Sequence, residues 1–104
     1  METIRVYNAG KIGDLPEAVW LAKFEAARNE IVAMSKSDRS VVAVCPTQLA
    51  HKHDRVWLSY MREDITAMLT CDYVYAQRDW ADSKGATIEV TTALVLGIPV
   101  IYQK

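Results

Sequence analysis

Between Ser40 and Pro46 the chain reads SVVAVCP, a continuous apolar run. A strand that alternates polar and apolar side chains needs one covered face. A strand of this kind needs both faces covered, the condition of a parallel sheet sandwiched between helices. A parallel sheet in turn demands long crossover connections, usually helical, between its strands. The rest of the sequence supplies them. TIRVYNA (Thr3 to Ala9) reads as a β-branched strand, and the loop GKIGDLP follows it. From Glu17 to Met34 apolar residues recur at helical spacing, at Val19, Leu21, Phe24, Ala27, Ile31 and Met34. Pro16 precedes them at a place where a helix start tolerates proline. Beyond SVVAVCP lie a polar loop, TQLAHKHD, and a helix expected from Asp54 or Arg55 to Thr70. DYVYAQ (Asp72 to Gln77) predicts a third strand and RDWADS a loop. KGATIEVTTALVL has the composition of a strand, but its length and the Gly97 at its end favour a buried helix. IPVIYQ then predicts a fourth strand. The order β-α-β-α-β-α-β predicts an α/β fold, a parallel sheet of about four strands with helices on both faces.

The 104 residues predict a single domain, residues 1–104, with a modest core. Hydrophobic content of 51% and charged content of 24% belong to a globular chain, not a disordered one. A net charge of -1 without a basic run gives no electrostatic support for binding bulk nucleic acid or a membrane surface. No run approaches the roughly 18 apolar residues of a membrane span. The opening METIRVYNAG leads straight into a strand, so no signal peptide is expected. Cys45 and Cys71 sit beside apolar strand-like runs and suit free thiols in a reducing cytoplasm better than a disulfide. His51 and His53 in HKHD lack a third ligand of matching spacing. They read as part of a solvated loop, and neither metal nor cofactor is expected.

Ligands of such sheets bind beyond the carboxyl ends of the strands. Those ends are the loops Asn8 to Asp14, Pro46 to His53 and Gln77 to Ser83. Just past the last of them, the run from Gly85 to Gln103 carries one charged side chain, Glu89. An isolated carboxylate buried in an apolar helix is costly unless it is paired, hydrogen-bonded or neutralised. Glu89 is therefore either on a wet edge of its helix or required there. Gly85, Ala86 and Ala93 leave space beside it. Ser83 falls at the helix N-cap, where free backbone N–H groups favour an anion, although an ordinary serine cap explains it equally. Asp64 falls on the apolar stripe Trp57, Tyr60, Met61 and Met68, a setting in which a carboxyl pKa can be perturbed for acid–base work. The bland alternative is a marginal acid paired with Arg62. In YNAGKIG, Gly10 permits close backbone approach to a ligand and Lys11 offers a cation, though the loop is neither GxGxxG nor a Walker sequence. Trp20 and Trp57 are expected in the core. Trp80, in the loop before Ser83, is expected near a ligand, where its ring would stack on a base or sugar.

These residues carry a resemblance. YMREDITAMLTCDYVYAQRDWADSKGATIEVTTALVLGIPVI resembles the C-terminal half of the nucleoside 2-deoxyribosyltransferase superfamily, through Asp64, Asp72, Ser83, Gly85, Glu89 and the run Gly97 to Ile101. VYNAG, with Tyr7 and Gly10, resembles the first strand and turn of that family. The W-x-x-Y-M-R-x-D and W-x-x-S-K-G-A runs are similar to those of short phage and prophage members. The resemblance implies a flavodoxin-like fold that cleaves or exchanges N-glycosidic bonds, with Glu89 as nucleophile and Asp64 assisting proton transfer. It also implies a homodimer, a nucleoside or nucleotide as the small-molecule partner, and a cytoplasmic site of action, in the host if the chain is phage-encoded. In the nucleotide N-glycosidase branch the serine matching Ser83 holds a 5′-phosphate, whereas transferases of free nucleosides tend to carry an acid there. That branch also has a hydroxyl residue and an arginine in its first loop, where this chain has Lys11 and Gly13. The expected function is thus cleavage of a (deoxy)nucleoside 5′-monophosphate. Base exchange between nucleosides and a non-catalytic nucleotide-binding role are the alternatives. The expected substrate-binding set is Tyr7, Gly10, Lys11, Trp80, Ser83 and Gly85.

Overall fold

A computed structural model describes residues 2–46 and 56–104 of the chain. Four strands form one sheet: β1 (Glu2–Ala9), β2 (Arg39–Val44), β3 (Tyr73–Ala76) and β4 (Val100–Tyr102). Their order is β2-β1-β3-β4, and every pairing is parallel. Three helices connect them: α1 (Glu17–Val32), α2 (Trp57–Met68) and α3 (Lys84–Leu96), with a short 3-10 turn at Trp80–Asp82. The expected α/β architecture is the one found. The helix α2 is described from Trp57; its expected start at Asp54 or Arg55 lies outside the described residues, as do His51 and His53.

Alternation along each strand sends successive side chains to opposite faces. Val6, Val41 and Tyr75 pack on one face against Ala27 and Ile31 of α1. Tyr7, Ala9, Val74 and Ala76 pack on the other against Met68 of α2 and Val90 and Ala93 of α3. A third apolar group, Ile12 with Trp20 and Phe24, seats the loop after β1 on α1.

The helix ends follow local chemistry. Ser83 caps α3, its Oγ accepting the Ala86 N–H at 3.1 Å. Gly97 closes the helix at φ 80°, in the left-handed region that favours glycine. The helix α2 stops at Met68, short of the expected Thr70, because Thr70 turns its hydroxyl onto the Ala67 carbonyl at 2.7 Å. Asp72 extends the β1–β3 ladder: its carboxylate accepts the Arg5 N–H at 2.9 Å and its own N–H donates to the Arg5 carbonyl at 2.8 Å. Both cysteines are free thiols. No described helix is long and apolar enough to cross a membrane.

Candidate active site

Strand order reverses between β1 and β3, the place where an open α/β sheet leaves a crevice beyond its carboxyl edge. A cavity of about 490 Å³ lies there. One wall is the loop after β1, Gly10 to Asp14, and a second is the outer end of α2, with Trp57, Tyr60 and Met61. The third is the start of α3, from Asp82 to Ala86. Asp64 and Glu89 lie among the lining residues, 1% and 4% exposed respectively. Buried carboxylates that still meet a cavity are the arrangement that acid–base and nucleophilic chemistry requires.

Glu89 is the more fully characterised of the two. The hydroxyl of Tyr7, rising from the adjoining strand, donates to Glu89 Oε2 at 2.8 Å. Burial pushes the Glu89 carboxyl up to about 8. The Tyr7 hydrogen bond opposes that rise, and the charge of Asp64 adds to it. Burial, followed by the charges of Glu89 and Asp64, holds the Tyr7 phenol well above its ordinary value. Tyr7 therefore stays a proton donor. Near neutral pH Glu89 likewise holds its proton in the resting site.

The rim carries mixed charge. Lys11 lies 3.4 Å from Asp14, and Lys84 holds its ammonium 4.7 Å from the centroid of the Trp57 ring. The N–H groups of Lys84 and Gly85 open α3 toward the cavity without intrahelical acceptors, as the first turn of any helix does. Asp82 stands exposed beside them.

The structure brings Gly10, Lys11, Asp64, Ser83, Gly85 and Glu89 together around this cavity. Tyr7 is placed beneath it, as the partner of Glu89. Two expectations are corrected. Trp80 is not among the lining residues; its ring packs on the core and tilts against Tyr102 at 6.1 Å between centroids. Trp57 is not core: it is 42% exposed and lines the cavity from the first turn of α2. The glycines also have more local reasons than ligand approach. A Cβ on Gly10 would come within 2.4 Å of Gln77 Cδ, and one on Gly85 within 3.3 Å of Met61 Sδ. Among the described residues no cluster of His, Cys, Asp and Glu is placed to hold a metal ion.

A family model described as "Domain of unknown function (DUF4406)" matches residues 4–102. No curated protein matches the chain. Among solved structures, the 2-desoxiribosyltransferase of Leishmania mexicana superposes with a TM-score of 0.64 at 22% identity, over 95% of this chain and 63% of that one. The 2-deoxyribosyltransferase of the psychrotolerant bacterium Bacillus psychrosaccharolyticus gives 0.60 at 16% identity, over 94% of this chain and 70% of that one. The likeness is one of fold, and the chain spans less than two thirds of the length of the first of these proteins.

Proposed function

This chain belongs to the DUF4406 family, and we propose that it is an enzyme that cleaves the N-glycosidic bond of a (deoxy)nucleoside 5′-monophosphate. The observation that carries the reading is the pair of buried carboxylates at one cavity, with Glu89 oriented by Tyr7. The fold shared with two 2-deoxyribosyltransferases supports it.

Glycosidic cleavage passes through an oxocarbenium-like state at the sugar C1′. Tyr7 engages Glu89 Oε2, which leaves Oε1 to attack C1′. As positive charge grows on the sugar, the Glu89 proton passes to Asp64 and leaves negative charge on Glu89. The C1′–N bond breaks, its electron pair goes to the base nitrogen, and Asp64 supplies the proton. Water then attacks the glycosyl ester with Asp64 as base, freeing the sugar phosphate and restoring Glu89. The start of α3, with Ser83 and the ammonium groups of Lys84 and Lys11, is the place for the phosphate.

A second reading rests on the rim. Asp14 and Asp82 stand beside those ammonium groups and oppose a dianionic ligand. That balance favours a free nucleoside, with a second base replacing water in the last step. We also infer a homodimer in the cytoplasm. The exposed Leu94, Val95 and Leu96 at the end of α3 and Tyr102 on β4 offer an apolar face, and the free thiols suit a reducing compartment. Sedimentation as a monomer at working concentration would count against the dimer.

The deciding experiment is incubation with a panel of nucleosides and 5′-monophosphates, with and without a second free base, followed by chromatography of the bases. Base released from monophosphates supports the leading reading, and exchange between nucleosides supports the second. Binding without turnover would assign the cavity to a non-catalytic nucleotide-binding protein and overturn both.

A further inference from the structure

The loop Gly10 to Asp14 forms a whole wall of the cavity, yet it contains two glycines and ends in an exposed aspartate. Short loops of this composition sit at the low-stability end of a fold unless something holds them. Here the grip falls on the backbone of a single residue, on its donor and its acceptor at once. The Lys11 N–H donates to Asp79 Oδ1 at 3.2 Å, and the Lys11 carbonyl accepts from Lys23 Nζ at 2.8 Å. The two holders are joined to each other, with Lys23 Nζ 2.7 Å from Asp79 Oδ2. These bonds close a ring through α1, the first loop and the loop after β3. The Lys23 and Asp79 side chains are only 27% and 25% exposed, so the pair is better shielded than an ordinary surface ion pair. Neither residue lines the cavity. The ring ends on backbone and charged groups, whereas α1 is held to the sheet by Ala27 and Ile31.

We propose that the Lys23–Asp79 ion pair is a positioning device, which fixes the backbone of Lys11 so that the first loop stands as the ligand-facing wall, and so sets substrate affinity without touching substrate. The proposal rests on the reading of this cavity as the substrate site. The pair acts through Lys11: with the backbone held, the Lys11 ammonium is confined to the rim beside Asp14. Released, the loop keeps the apolar anchor of Ile12 against Trp20 and Phe24, with Leu15 packed beside it. Asp64, Glu89 and Tyr7 belong to other elements and keep their places.

The test uses Lys23→Met, Asp79→Asn, the double variant and Lys23→Arg in the full chain. Amide exchange by mass spectrometry should quicken about tenfold or more in the segment 10–15 of either single variant and stay unchanged across 84–96. With whichever panel substrate is turned over, KM should rise about tenfold while kcat stays within about threefold. The double variant should be no worse than either single one, because each already opens the ring. Lys23→Arg, which can make both bonds, should restore loop protection and KM. Unchanged exchange in 10–15 overturns the proposal. So does a fall in kcat at constant KM, or a loss of protection spread evenly over the chain. If the parent protein turns over nothing in the panel, the functional reading fails, and the exchange result alone decides the clamp.

Discussion

The cavity has a floor and a rim, and each carries two carboxylates in opposite circumstances. Asp64 and Glu89 on the floor are buried in helices of the core, whereas Asp14 and Asp82 at the rim stand in solvent. Charge in the rim is screened by water and salt and contributes little to stability. Charge in the floor is desolvated, so the Glu89 proton is tied to the stability of the whole molecule. Carboxylates of one chemical type thus divide into a desolvated pair and a solvated pair by placement alone.

The sharpest way to break this division is Glu89→Gln, which keeps the shape and removes the charge. Turnover should fall by ~10²–10³-fold or more, the scale of a lost nucleophile or oxyanion-type term. Steady-state assays on the productive substrate check it, and an active variant would remove the central claim. The same substitution should stabilise the fold in a pH-dependent way. Between the ordinary glutamate value of 4.5 and about 8, folded Glu89 keeps a proton that the unfolded chain has lost. Parental stability is therefore undiminished below this window, falls as pH rises through it, and levels off above it. The gain from Glu89→Gln should be near zero at the acid end and reach a few kcal/mol at the alkaline end. Denaturation at several pH values checks the sign.

Next in size is Tyr7→Phe. Loss of a charge-assisted hydrogen bond of ~1.5–3 kcal/mol should lower kcat/KM by roughly 10–100-fold near neutral pH. The Tyr7 bond holds the Glu89 carboxyl down, so its removal should move the alkaline limb of the kcat/KM profile, set by loss of the Glu89 proton at about 8, further up. A profile that does not move would place Tyr7 outside the chemistry.

Smaller again is Ser83→Ala. It should raise KM for a monophosphate by about tenfold, leave a nucleoside unaffected, and cost about 1 kcal/mol of stability through the lost cap. Equal loss for both ligands would leave the hydroxyl its capping role alone. Smallest should be Asp82→Asn, on the rim, with stability unchanged within ~0.5 kcal/mol and turnover altered only by a few-fold. A large effect there would erase the distinction between rim and floor.

The floor was more legible in sequence than the rim. A lone glutamate in an apolar helix and an aspartate on an apolar stripe stand out because burial of charge is costly. The bounds of α3 were equally plain, since Ser83 and Gly97 mark its ends with opposite chemistry. Of the three tryptophans, Trp20 was legible as core and the other two were not. Periodicity shows which helix face is apolar but not which turn of it borders a cavity, so Trp57 and Trp80 exchanged their expected places. The grip of Lys23 and Asp79 on the first loop left no local signal, because it joins positions that only the fold brings together.

The bond between Tyr7 and Glu89 joins residues 82 positions apart. It has a bearing on synthesis. A growing chain makes β1, β2 and β3 before the carboxylate that β1 orients exists. Strand and glutamate meet only when α3 docks on those strands. The Tyr7–Glu89 bond thus forms late, and a nascent or partly degraded chain lacking α3 leaves the Tyr7 hydroxyl without its carboxylate. The proposed turnover, measured in a cell, would report folded molecules that include α3 rather than fragments.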